Sequence, residues 1–147
     1  MNKYDDLIKQ ASNLFSLAQF SLVVKYKNDI LVSANGGLKV LKMLSDRFGS
    51  NIEEDPSLRN VKHLLGSIQA IASGISIESY NRELNQINDL VSTAYKYLNP
   101  TLPPVKELLK EVGGYRSVGK HLKSIKITVN NALKALNAEN SSSKKTS

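Results

Sequence analysis

The stretch IESYNRELNQINDLVSTAYKYL, residues 77–98, has the most regular helical pattern in the chain. Its apolar residues recur in alternating steps of three and four, which places them on one side of an α-helix. They are Ile77, Tyr80, Leu84, Ile87, Val91, Ala94 and Leu98. The other side is polar and nearly neutral in charge. A helix with one apolar side packs at shallow angles against neighbouring helices, so this stretch favours a helical bundle.

Helical spacing recurs along most of the chain, and we predict an all-α fold, a compact bundle of five to six helices. The first helix starts near Tyr4 and should be central, because apolar residues cover much of its surface. Asp55 and Pro56 predict the start of another helix, since aspartate is a good N-cap and proline suits the first helical position. A short helix should follow Pro104, and the last helix should run from about Tyr115 to Asn137.

Two places within the first fifty residues decide how many helices there are. The segment Val23–Ser33 is rich in β-branched residues; continued helix is favoured, and a small hairpin turning at Asn28-Asp29 is the alternative. Asn35-Gly36-Gly37 predicts a break, because paired glycines lose much backbone entropy inside a helix. A separate short helix would then end before Gly49.

The length of 147 residues suits one domain. We place this domain at residues 1–137. Residues 138–147 are rich in Ser and Lys and contain no large apolar side chain. Because nothing there offsets the entropy of ordering, we predict a short, disordered and flexible C-terminal tail.

Composition argues against several classes of function. The chain has no cysteine, which excludes disulfides, zinc ribbons and thiol catalysis. His63 and His121 each lack a second ligand at a metal-binding spacing, so we expect no metal and no cofactor. No phosphate-binding loop or nucleophile elbow is present, and we expect a protein that is not an enzyme. No apolar run is long enough to span a bilayer, so a soluble, cytoplasmic protein is expected.

Positive charge is concentrated in the last third of the sequence. Residues 106–147 contain nine Lys and Arg against three acids, a net of +6, whereas residues 1–105 contain eleven against ten, a net of +1. Charge of one sign in one segment predicts an acidic partner for that segment.

Most of this charge falls on one side of the last helix. At about 100° per residue, the apolar residues from Val118 to Leu136 form one side of the helix. Those expected to be buried include Leu122, Ile125, Val129 and Leu133. The opposite side carries the cations Arg116, Lys120, Lys123, Lys126 and Lys134. Ile127 is the apolar residue among them, and no acid lies between Arg116 and Asn137.

Three interpretations of this basic side remain open. It can be an ordinary solvated surface, a binding site for nucleic-acid phosphates, or a docking surface for an acidic protein or an anionic membrane. We predict a non-enzymatic, nucleic-acid-associated protein without sequence-specific readout, to which Lys144 and Lys145 add a flexible contact. The alternative is a protein-interaction module, such as an adaptor, assembly subunit or inhibitor. Tyr26, Tyr97 and Tyr115 lie off the apolar sides of their helices and are the candidates for stacking on bases.

Overall fold

The fold is a helical bundle, as seen in a computed structural model that describes residues 3–48, 54–98 and 114–146. Side chains are described for residues 4–10, 17–47, 54–98 and 116–138. Four helices have their full bounds within these ranges: α1 (Lys3–Phe48), α2 (Pro56–Ser73), α3 (Tyr80–Lys96) and α4 (Gly114–Thr146). The described residues contain no strand, and the all-α prediction is confirmed. The helix predicted after Pro104 lies outside the described residues, as does Gly49.

The four helices form a closed ring in which neighbours run antiparallel. α1 packs on α2 and α4, and α3 also packs on both. The start of α3 meets the far part of α4, where the Tyr80 hydroxyl donates to Oδ1 of Asn137 at 3.1 Å. The end of α3 meets the first turns of α4, where the Tyr95 hydroxyl contacts the carbonyl oxygen of Gly119 at 3.5 Å. These two contacts set the register between α3 and α4.

The core takes apolar side chains from all four helices. Among its largest fully buried members are Ile30, Leu65, Ile68, Leu84, Ile87, Leu122, Ile125 and Leu136. The predicted buried side of α3 is confirmed, as is burial of Leu122, Ile125 and Val129 in α4. Leu133, however, is only partly buried. The smaller Ala132 is fully buried instead, because it lies about 40° from the centre of the buried row of α4, whereas Leu133 lies about 60° from it.

The start of α2 follows the predicted capping arrangement. The carboxylate of Asp55 accepts hydrogen bonds from the backbone N–H groups of Ser57 at 3.0 Å and Leu58 at 3.1 Å. Pro56 occupies the first turn. Asp55 is fully buried, so its role is to satisfy helix N–H groups, which have no partner within the helix.

α1 is one continuous helix of 46 residues, and the predicted break at Asn35-Gly36-Gly37 is wrong. The glycines serve close packing between helices. A Cβ built on Gly37 would lie 3.1 Å from a methyl carbon of Leu65 in α2, and one on Gly36 would collide with His121 in α4. The close packing of α1 against α2 at Gly37 and against α4 at Gly36 offsets the roughly 0.5–1 kcal/mol of stability that each glycine costs in a helix. The helical alternative for Val23–Ser33 is confirmed, and the hairpin is wrong.

The first part of α1 is exposed, so the expectation that it is central is wrong for this part. Every described side chain in residues 4–10 is exposed, including Leu7 and Ile8. Leu17 and Phe20 are exposed as well, and Gln19 and Val23 are the first buried side chains among the described residues of α1.

Neither neighbouring helix reaches the first residues of α1. α2 is hydrogen-bonded to α1 at Asn35 through Gln69 and ends at Ser73. α4 passes Gly36 at His121 and ends at Thr146, which corresponds to about residue 11 of the antiparallel α1.

The backbone of α4 stays helical to Thr146, so the predicted helix end at Asn137 is wrong. Extending an existing helix needs no new nucleus, and residues such as Ala, Glu and Lys cost little in helical conformation. The flexibility and dispensability of residues 138–147 concern behaviour in solution and stay predictions.

Candidate nucleic-acid interface

The candidate interface is the solvent-facing side of α4, whose orientation is set by its buried side. Val118 and Leu136 are almost fully buried at either end of the core-facing row. The five cations predicted on the opposite side are all exposed. We call this set the basic stripe; it consists of Arg116, Lys120, Lys123, Lys126 and Lys134. The five cations that the helical pattern placed on one side therefore lie together on the exposed side of α4.

The charge of the basic stripe is uncompensated within the described residues. No Asp or Glu occurs between Arg116 and Ala138, and none of the five cations has an ion-pair partner among the described side chains. From Arg116 to Lys134 the helix rises by about 27 Å.

Contacts with α3 hold α4 in this orientation. The hydrogen bond from Tyr80 to Asn137 lies one turn beyond Lys134, and the contact of Tyr95 with Gly119 lies beside Lys120. Burial raises the pKa of both tyrosines, because an ionised phenolate loses solvation there. Both hydroxyls therefore stay protonated at neutral pH.

Apolar and aromatic groups near the basic stripe are few among the described side chains. Ile127 lies within the stripe and is 51% exposed. Tyr97 is exposed at the end of α3, whereas Tyr26 is partly buried with the Lys25 ammonium 5.5 Å from its ring centre. The side chains of Tyr115, Lys144 and Lys145 lie outside the described residues. A row of stacking aromatics is therefore not seen along the described part of α4.

A second basic surface, which sequence reasoning did not find, lies between α1 and α2. It is an open groove of about 720 Å³. Its polar lining includes Lys42, Arg59, Lys62, His63 and Asp46. These residues are separated by many positions in the sequence, so no local pattern reveals the groove. It contains no residue of α4 and is distinct from the basic stripe.

The histidines do not form a metal centre within the described ranges. No group of three or more metal-ligating side chains occurs there. His121 packs against Gly36, which gives it a structural role between α1 and α4. His63 lines the α1–α2 groove. Among the described helices, none combines the length and apolar character that a membrane span requires.

No protein-family model, curated protein or solved structure matches the chain.

Proposed function

We propose that the protein is a non-enzymatic, intracellular, nucleic-acid-associated protein that binds backbone phosphates through the basic stripe. The observation that supports this most is the set of five exposed cations on one helix side with no carboxylate partner among the described residues. Like-charged neighbours such as Arg116 and Lys120 cost a few tenths of a kcal/mol per pair in an isolated helix. An anionic partner removes this cost.

The proposed recognition is by charge and not by base sequence. Lysines and arginines on a convex helix face make phosphate contacts that position a protein without reading bases. Binding then releases counterions, and affinity falls steeply with salt. Lys144 and Lys145 would add contacts at the end of the same helix.

The test is a titration of labelled duplex DNA and single-stranded RNA at about 50 and 200 mM salt. The variant Lys120→Gln/Lys123→Gln/Lys126→Gln should weaken binding to all sequences alike and flatten the salt slope by about one for each lysine removed. Glutamine keeps helix propensity close to that of lysine. The matched control Lys9→Gln/Lys39→Gln/Lys96→Gln removes the same charge from α1 and α3, where all three side chains are exposed and lie outside the α1–α2 groove. Absence of binding at low salt, or equal loss in both variants, would contradict the proposal.

The second candidate is a protein-interaction module that docks the basic stripe on an acidic protein. Ile127 favours it, because an exposed apolar residue among cations resembles the apolar centre and charged rim of a protein interface. A partner retained after nuclease treatment, and lost in the variant Ile127→Asp, would support this candidate. Loss of every partner on nuclease treatment would count against it.

A further inference from the structure

The first part of α1 carries a regular row of residues on the side of the helix opposite its core-facing residues. We call it the α1 seam; it consists of Leu7, Gln10, Leu14, Leu17, Ser21 and Val24. The steps are three, four, three, four and three, which is the heptad repeat of a two-stranded coiled coil. The backbone is helical throughout, and the five members whose side chains are described are all exposed.

The apolar exposure is larger than an isolated surface leucine would explain. Leu7 is 58% exposed and Leu17 is 61% exposed, and Phe20 is exposed beside the seam. The seam rises by about 26 Å from Leu7 to Val24. Its described apolar side chains expose on the order of a few hundred Å² in each copy, a size at which an apolar surface patch is often functional.

The α1 seam is complementary to itself in the antiparallel direction. Its polarity pattern, apolar-polar-apolar-apolar-polar-apolar, reads the same from both ends. An antiparallel pair therefore sets Leu7 against Val24 of a second copy, Gln10 against Ser21, and Leu14 against Leu17. Apolar residues meet apolar residues in four of the six layers, and the other two layers each contain a Gln and a Ser that can share a hydrogen bond.

The charges beside the seam distinguish antiparallel from parallel pairing. In the antiparallel pair the same register brings Asp6 of one copy beside Lys27 of the other, twice by symmetry. In a parallel pair the heptad places Asp6 beside Ala11 and Lys27 beside Val32, so no opposite charges meet. Pairing also leaves room for the bundles. The buried residues Gln19, Val23 and Ile30 lie on the side of α1 opposite the seam, so the two bundles lie on the outer sides of the paired helices.

We propose that the protein forms a homodimer through antiparallel pairing of the α1 seam. The occupant of this exposed face is thus a second copy of the chain. The interface contains none of the basic stripe, so the proposal does not depend on phosphate binding.

The test is the mass in solution, measured by light scattering and sedimentation from low to high micromolar concentration. The full chain should show a concentration-dependent mass rising to twice 16.2 kDa. Leu7→Ser/Leu17→Ser should remain monomeric and folded, because both side chains are exposed in the single copy. Ile8→Ser is the matched control: Ile8 is 66% exposed and adjacent to Leu7, but it is outside the seam. Monomeric wild-type protein throughout, or equal effects of seam and control variants, would overturn the proposal.

A charge-reversal experiment tests the direction. Asp6→Lys alone, or Lys27→Asp alone, should raise the dimer Kd roughly three- to tenfold, because two attractive contacts become repulsive. The double variant Asp6→Lys/Lys27→Asp should restore the wild-type Kd. Single variants that leave the dimer Kd unchanged, or a double variant whose Kd stays raised, would refute the antiparallel pairing.

Discussion

Gly36 in α1 lies directly against the imidazole ring of His121 in α4: a Cβ built on this glycine would be 2.7 Å from Nδ1. Real Cβ atoms do not approach other atoms so closely. The absence of a side chain at Gly36 is therefore what allows α1 and α4 to pack at this point, and the histidine fills the space beside it.

The substitution Gly36→Ala should destabilise the protein, although replacing glycine by alanine usually stabilises a helix. Gly→Ala in a helix interior normally stabilises by about 0.5–1 kcal/mol. Gly36→Ala should instead lower the free energy of unfolding by about 1–3 kcal/mol, because the imidazole has to move. Gly66 in α2 is the control, since a Cβ there meets nothing within 4 Å, and Gly66→Ala should stabilise. Urea unfolding measures both, and stabilisation by Gly36→Ala would contradict the described contact.

Removing the cap of α2 should cost stability. Asp55→Ala leaves the N–H groups of Ser57 and Leu58 without their acceptor and should lower the free energy of unfolding by about 1–2 kcal/mol. Asp55→Asn keeps an acceptor oxygen and should lose less. Glu54 is exposed next to it, and Glu54→Ala should change stability by no more than about 0.5 kcal/mol. Thermal and urea unfolding of the three variants distinguish capping from a general charge effect.

Stability should decline as the pH rises above about 10. Burial raises the pKa of Tyr80 and Tyr95 in the folded state above the value of 10.0 that an unfolded chain has. The unfolded chain therefore releases these protons first, and ionisation draws the equilibrium toward it. The stabilisation is complete below pH 10 and is lost as the pH rises toward the folded pKa. Tyr80→Phe/Tyr95→Phe should show a shallower decline in urea unfolding between neutral and high pH; an identical decline would contradict the burial effect.

Truncation after Asn140 should separate folding from binding. The removed residues, 141–147, contain two lysines and no large apolar side chain. The melting temperature should stay unchanged, whereas binding to an anionic partner should weaken modestly, and more at low salt than at high salt. A clear drop in melting temperature would show that this segment packs on the bundle.

Sequence periodicity predicted those parts of the fold that depend on one helix and its own apolar side. α3 and the basic stripe of α4 are examples, because within one helix burial of a residue such as Leu122 determines where its neighbour Lys123 must point. Gly36 was interpreted wrongly because its role depends on His121, which is distant in the sequence. The α1–α2 groove was missed for the same reason.

The prediction for the first part of α1 was wrong for a different reason. Its apolar residues predicted burial, and the single chain leaves Leu7 and Leu17 exposed. Amphipathic spacing predicts that one side of a helix is covered by other apolar residues. It does not indicate whether those residues belong to the same chain or to another one.

Because α1 is one unbroken helix, its first part cannot rotate about the helix axis independently of the part that packs in the core. Val24 belongs to the α1 seam and Ile30 to the core, with no loop between them to absorb a twist. Deleting one residue between them would turn the seam, together with the buried Val23, by about 100° relative to Ile30 while shortening α1 by only about 1.5 Å. In the proposed dimer, the mutual angle of the two basic stripes is therefore set by the helical phase between the seam and the core-facing side of α1, to which neither stripe belongs.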